Sequence, residues 1–414
     1  MNRHRVLLLL LGAAIAGAVG SGRTEFWGIA GALAALLALS ALWSWSSVHW
    51  LRVTRRSTTH TAAVGDVFEE EFRLTNLSSM PRLWVEVRDH STLPHHHAGR
   101  VVSHIAGRSW RGWHARTRLQ HRGRFRLGPI DVRSGDPLGL FQVHRTVPIT
   151  DALLVCPLTE ELRSFPFPIS PLPDGEALRR RTTTVTASAS GVREYAPGDS
   201  IRRIHWPSSA RRQKLMVKEF ELDPAADIHI ALDLDAAAHV GQDEEGDRTA
   251  DENSAPQLPR STLEYAVSAA ASCANFFLRQ GRSVGLVTVG AHREILAAES
   301  GDRQHRHIME TLAVVEADGE LPFAHVLAQE CATLPRGTTV VLISASTARA
   351  WAEAAQGLAR SGLRIVVLFV DPAGFSAPDD DAAAAGAALI TALADAGAGV
   401  RTLRYGHRLA DALE

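Results

Sequence analysis

Hydrophobic and polar positions divide the chain into four stretches of different period. An uncharged apolar run covers 6–22, Arg23-Thr24-Glu25 interrupts it, and a second apolar run follows over 26–48. About 20 apolar residues cross a bilayer, so the second run predicts a full span and the first a slightly short one. Together they predict a transmembrane helical hairpin within 1–53. Over 54–157 the pattern becomes short alternating runs, at 64–74, 83–87, 113–119, 123–127, 130–133 and 153–156, separated by turns bearing Asn, Pro or Gly. That is the signature of half-buried strands, and it predicts an antiparallel β-sandwich-like domain. A stretch rich in Pro and charge, 158–225, reads as a linker carrying a dense motif. From 226 to 414 apolar runs at 228–234, 284–289, 340–344, 365–370 and 400–403 alternate with helical patterns at 263–279, 305–315, 323–333, 348–360 and 382–394, which predicts a doubly wound α/β domain. A second strand-like run at 294–297 adds a hairpin edge.

Tryptophans sharpen the membrane reading. Trp27 marks one end of the second run and Trp43, Trp45 and Trp50 the other, where indoles sit at bilayer interfaces. Arg3 and Arg5 precede the hairpin and Arg52, Arg55 and Arg56 follow it, against Arg23 alone in the turn. Positive charge marks the cytoplasmic side, so a two-pass protein of the bacterial inner membrane with cytoplasmic soluble domains is expected. An alternative takes 6–22 as a cleaved signal peptide, given its basic start and Ala16-Gly17-Ala18. The second run is then a stop-transfer span with the same remainder in the cytoplasm.

Composition narrows the function classes. The formal net charge over 414 residues is −1, so no global field draws the chain onto nucleic acid. Cys156, Cys273 and Cys331 are too few and too far apart for a disulfide framework or a Cys-rich zinc site. His95-His96-His97, near His90 and His104, suits a metal by residue type, yet Pro94 and Gly99 place it on a loop, where the plainer reading is a solvated tip.

The motif inside the linker is 191–211, with Arg193, Tyr195, Gly198, Asp199, Arg202, Trp206, Ala210 and Arg211 as its marked positions. Pro197-Gly198 predicts a turn, Asp199 or Ser200 can cap one helical turn through Ile204, and Pro207 is expected to end it. Arginines crowding Tyr195 and Trp206 allow two readings: an internal stacking and ion-pair network with Trp206 buried, or a contact surface for a partner.

These residues resemble the domain of unknown function fifty-eight family, bacterial companions of MoxR-type AAA+ ATPases. Arg122-Gly123, Leu127-Gly128-Pro129 and Asp136-Pro137-Leu138-Gly139-Leu140-Phe141 resemble its upstream pattern, and Leu263-Glu264-Tyr265, 283–287 and Gly337-Thr338-Thr339 its downstream half. The resemblance implies a von Willebrand A-like C-terminal domain, a MoxR-type AAA+ partner and, as a neighbour, a transglutaminase-like membrane protein. In the A fold an Asp-x-Ser-x-Ser motif follows the first strand, because a hard cation wants clustered carboxylate and hydroxyl oxygens. Here the positions read Asp233-Leu234-Asp235-Ala236-Ala237, and Ser344 stands where an acid is usual. Asp233 and Asp235 are thus a degenerate site: a weak magnesium ligand pair, or a hydrogen-bonded cap on the sheet.

Catalytic signatures are missing. Neither Lys214 nor Lys218 follows a glycine, as a phosphate-binding Walker loop requires, and no His-Glu-x-x-His occurs. Gly281-Arg282-Ser283-Val284-Gly285 matches a nucleophile elbow in spacing, but a helix precedes it and a strand follows, the reverse of what the elbow needs. The sequence therefore predicts a membrane-anchored, non-catalytic adaptor without a cofactor. The alternative is a divalent-metal-dependent ligand-binding or hydrolytic protein using Asp233 and Asp235.

Overall fold

The computed structural model describes residues 3–165, 191–194, 205–219, 227–241, 258–375, 380–395 and 397–413. They form two compact units, the first of 1–159, 242–271 and 309–316, the second of 160–241, 272–308 and 317–414.

The first unit begins with helices α1 (Arg3–Ser21) and α2 (Thr24–His49). Gly22 makes the turn between them at φ +63°, a conformation that suits glycine. The helices lie so close that a Cβ on Gly17 would stand 3.2 Å from the Phe26 ring. Among the described residues α2 alone is long and apolar enough to cross a membrane, and α1 is a shorter apolar helix. Trp50 closes α2 and strand β1 (Leu51–Ser57) starts at the next residue, ahead of the boundary expected at 54.

Three sheets follow. β1 pairs with β3 (Val67–Asn76), and β3 with β6 (Trp110–Arg118); β10 (Asp151–Cys156) lies between β2 (Thr61–Ala63) and β7 (Gly123–Leu127); the third sheet runs β5 (Arg100–Ile105), β4 (Arg82–Asp89), β8 (Ile130–Gly135), β9 (Gln142–Val147). Pairing is antiparallel throughout except between β2 and β10. Alternation along β3 turns Phe68, Glu70, Phe72 and Leu74 inward, and Phe72 stacks on Trp113 with centroids 5.4 Å apart. Sequence periodicity does not reveal β9, which is exposed or half-buried along its whole length.

In the second unit β11 (Gly191–Glu194) pairs antiparallel with β12 (Met216–Glu219), and helix α3 (Trp206–Arg212) precedes β12. The main sheet has the order β15 (Arg293–Glu299), β14 (Val284–Val289), β13 (Ile228–Leu232), β16 (Thr339–Ser344), β17 (Arg364–Val370), β18 (Gly399–Leu403). All neighbours are parallel save the β14–β15 edge, the hairpin expected from the sequence. Every residue of β13, β14 and β16 is buried, so both faces of the sheet centre are covered. On one face Ala231, Val287, Leu342 and Val367 pack in a cluster with Phe323 of α6 (Phe323–Glu330), Trp351 of α7 (Arg349–Arg360) and Leu393 of α8 (Asp380–Asp395). Helices α4 (Thr262–Arg279) and α5 (Asp302–Val314) have residues in both units. From β13 the chain builds first β14 on one side and later β16 on the other. That reversal creates a crevice at the carboxyl end of β13, where ligands of open α/β sheets bind.

Candidate functional site

Asp233 follows β13 at this crevice. Its amide donates to the Ile343 carbonyl at 2.9 Å, which extends the β13–β16 ladder by one bond. Strand alternation puts it on the same face as Ala231 and beside Ser344. Ser344 Oγ donates to Asp233 Oδ2 at 2.6 Å and the Asp235 amide to Oδ1 at 3.0 Å. The carboxylate is 1% exposed. Burial raises its pKa from 3.8 to about 6, against the hydrogen bonds from Ser344 and the Asp235 amide. Asp235 turns away and caps the next turn, its Oδ1 accepting from the Ala237 amide at 3.0 Å. Gly319 closes the rim by backbone pairing with Leu234 and Ala236, and a Cβ there would fall 2.8 Å from the Leu234 carbonyl.

A hard dication needs several oxygens free to converge on it. Here both Asp233 oxygens already accept from the protein, the capping oxygen of Asp235 is engaged, and Ala237 offers a methyl group where the A-fold motif has a hydroxyl. No group of three or more His, Cys, Asp or Glu side chains among the described residues is placed to hold a metal ion. The donor set does not fit magnesium; it fits a cap on the sheet.

The motif of 191–211 resolves differently. Arg193 lies in β11 opposite Val217, while Tyr195, Gly198, Asp199 and Arg202 fall outside the described residues, as does the helical turn expected there. Pro207 was expected to end a helix. It stands instead in the first turn of α3, where proline costs nothing because its missing N–H would have no intrahelical partner. His205 caps α3, its ring nitrogen accepting from the Ser208 amide at 3.3 Å. Ser209 Oγ bonds the His205 carbonyl at 3.0 Å and accepts from the Met216 amide at 2.9 Å, which pegs α3 to β12. The reading of Trp206 as a buried indole is overturned: it is 63% exposed, at the first residue of this short helix. Ala210 and Arg211 are exposed as well.

The sequence also misses a site in the first unit. His95 and His97 are exposed, but the His96 ring is fully buried, its Nδ1 2.9 Å from Thr117 Oγ1. His95 takes φ 57° at the turn that brings His96 inward. His96 Nε2 stands 3.0 Å from Glu70 and 3.4 Å from Asp89, within ion-pair range of both and without a well-aligned hydrogen bond to either. Arg55 donates to both oxygens of Glu70 at 2.6 Å and to Asp89 at 3.2 Å. The solvated-tip reading therefore fails for His96. The available signal was Glu70, an acid on the inward phase of an otherwise apolar alternation.

The described residues thus give the molecule one membrane-length helix, a β-rich region and a parallel-sheet unit whose switch-point carboxylate is closed by internal hydrogen bonds. Residues 191–388 match the family described as "Protein of unknown function DUF58". It is 26% identical over 213 residues to the uncharacterized protein YeaD of Bacillus subtilis (strain 168), a match covering 50% of this chain and 47% of YeaD. The chain thus spans about half the length of this curated relative. Among solved structures, an aerotolerance-related membrane protein from Bacteroides fragilis NCTC 9343 superposes on 45% of this chain and 94% of its own at 15% identity, with a TM-score of 0.30. The CARDB domain of the PF1109 protein from Pyrococcus furiosus covers 25% of this chain and 91% of its own at 16% identity, with a TM-score of 0.19. Neither superposition is extensive enough to define the fold.

Proposed function

We propose that this protein is a membrane-anchored, non-catalytic adaptor that presents its second unit to a MoxR-type AAA+ ATPase, with a transglutaminase-like membrane protein as a further neighbour. The observation that carries this reading is the surface of α3. Trp206 stands 63% exposed on a short helix that also exposes Arg211 and Arg212, and Trp and Arg are the residue types that dominate binding hot spots. A large exposed indole held on a pegged, capped helix adds nothing to the core and suits a partner. The parallel sheet with its antiparallel edge supports a von Willebrand A-like assignment, in which Asp233 closes the sheet rather than binding metal. On this reading α1 and α2 cross the bacterial inner membrane as a pair, with the β-rich part of the first unit and the second unit on the cytoplasmic side.

The test is association of the detergent-solubilised full chain with a MoxR-type ATPase in the presence of an ATP analogue. Arg211→Glu and Trp206→Ala are each expected to abolish capture. Both should leave unfolding within about 0.5 kcal/mol of the parent, as for exposed positions away from the core. Wild-type chain that captures no such ATPase overturns the proposal. The metal-dependent alternative is tested by calorimetry with magnesium and manganese; stoichiometric binding lost in Asp233→Ala would establish it.

A further inference from the structure

The junction between α2 and the β-rich part of the first unit carries a consequence for membrane depth. The 26 residues of α2 measure about 39 Å, ample for the roughly 30 Å hydrocarbon core. The β-rich part, however, already grips α2 at Ser40, whose Oγ donates to Asp136 Oδ2 at 2.6 Å. Ser44 Oγ donates to the Phe141 carbonyl at 3.1 Å, and Arg82 donates to the Ser46 carbonyl at 2.8 Å. Only 24–39 is free of this contact, about 24 Å of helix, which is too short to cross. If α2 spans, its docked portion must enter the acyl region, and whatever is bonded to that portion enters with it.

We propose that the β8–β9 turn, 136–141, is a membrane-inserted wedge whose tip, Leu138, contacts phospholipid at the boundary between headgroups and acyl chains. This inference rests on the membrane-spanning reading of α2. The turn is built for a place without water. Asp136 is buried, and besides Ser40 it accepts from the Leu138 amide at 3.0 Å and the Phe141 amide at 2.7 Å. The Gly139 amide donates to the Asp136 carbonyl at 3.2 Å. Backbone polar groups satisfied inside the segment are what a lipid environment demands. The outward side is apolar: Leu138 is 51% exposed, and on α2, at the level of the docked serines, Leu42 and Trp45 are exposed as well. The serines of α2 face the turn while Leu42 and Trp45 face away from it, so the docked part of the helix keeps apolar side chains for lipid.

The proposal is tested by collision measurements on nitroxide labels in the full chain, reconstituted in vesicles of phosphatidylcholine and phosphatidylglycerol. Labels are placed at Leu138→Cys, Leu39→Cys or Val67→Cys, in a Cys156→Ser background that keeps buried Cys273 and Cys331. Leu39 is an exposed residue of the undocked part of α2. Val67 is an equally exposed apolar residue at the far end of β3, about 30 Å along the strand from the junction at Asn76. The expected result is an oxygen-to-nickel-chelate collision ratio several-fold higher at Leu138 and Leu39 than at Val67. A lipid-like Leu39 with a water-like Leu138 overturns the wedge and leaves the span intact. A water-like Leu39 overturns both. Leu138 shielded from oxygen and nickel alike, as a covering protein or second copy would make it, also overturns the wedge.

Discussion

Each unit buries acid in its interior, and the two do so by opposite means. In the first unit Glu70 and Asp89 are 0% and 3% exposed, and Arg55 and His96 stand between them. Burial pushes both acids up, but contacts from His96 and Arg55, with help from Ser57 and Ser91, outweigh it and hold both pKa values below their ordinary range. With His96 protonated the four side chains sum to zero charge. In the second unit Asp233 has two neutral donors and no cation, so burial prevails and its pKa climbs to about 6. Burial alone therefore does not decide the state of a buried acid; the donors and charges arranged around it do.

The largest expected effect breaks the balanced network. Arg55→Met leaves two buried carboxylates facing a single imidazolium, and removing one partner of a buried ion pair costs about 3–5 kcal/mol. Hydrogen exchange in β3 and β6 should accelerate while that in β13 and β16 stays unchanged. If β3 and β6 keep their protection, His96 alone suffices and the comparison fails. The network also predicts pH limits on both sides. Burial lowers the pKa of His96, but Asp89 and Glu70 raise it above 6.5 on balance, so its contribution is complete below 6.5 and lost as pH rises through the higher folded value. Glu70 and Asp89 contribute above their unfolded values of 4.5 and 3.8 and lose that contribution as pH falls through their lowered ones.

The next effect has the opposite sign. Asp233 binds its proton more tightly folded than unfolded, so its contribution is complete below 3.8 and lost as pH rises through about 6. Asp233→Asn keeps both hydrogen bonds, with the amide oxygen accepting from Asp235 and the amide nitrogen donating to Ser344. It should stabilise the second unit at pH 8 by up to about 3 kcal/mol and by little at pH 4, read from urea unfolding at the two values. Destabilisation at pH 8 would show that the ionised carboxylate has a favourable partner.

Ser344→Ala is the smallest change. It removes the 2.6 Å bond to Asp233, worth about 1–2 kcal/mol at neutral pH, and should move the alkaline loss of stability to higher pH. An unchanged pH profile would detach Ser344 from the titration of Asp233.

The sequence by itself determined the apolar helices, the alternating β-region and the parallel strands with their hairpin edge, because period and run length report which faces are buried. It placed Asp233 correctly after the first strand of the α/β unit, since that position depends only on where an apolar run ends. Tertiary structure alone decided what those residues meet. Arg55, Glu70, Asp89 and His96 come from four separate segments, and no local period links them. Ser40 and Asp136 are likewise joined only when α2 docks on the β8–β9 turn. Trp206 is apolar by type yet exposed, on a short helix that Ser209 pegs to the next strand. Local pattern fixes which side of an element is buried; only the assembled chain fixes which charges, donors and lipids that side and its opposite will face.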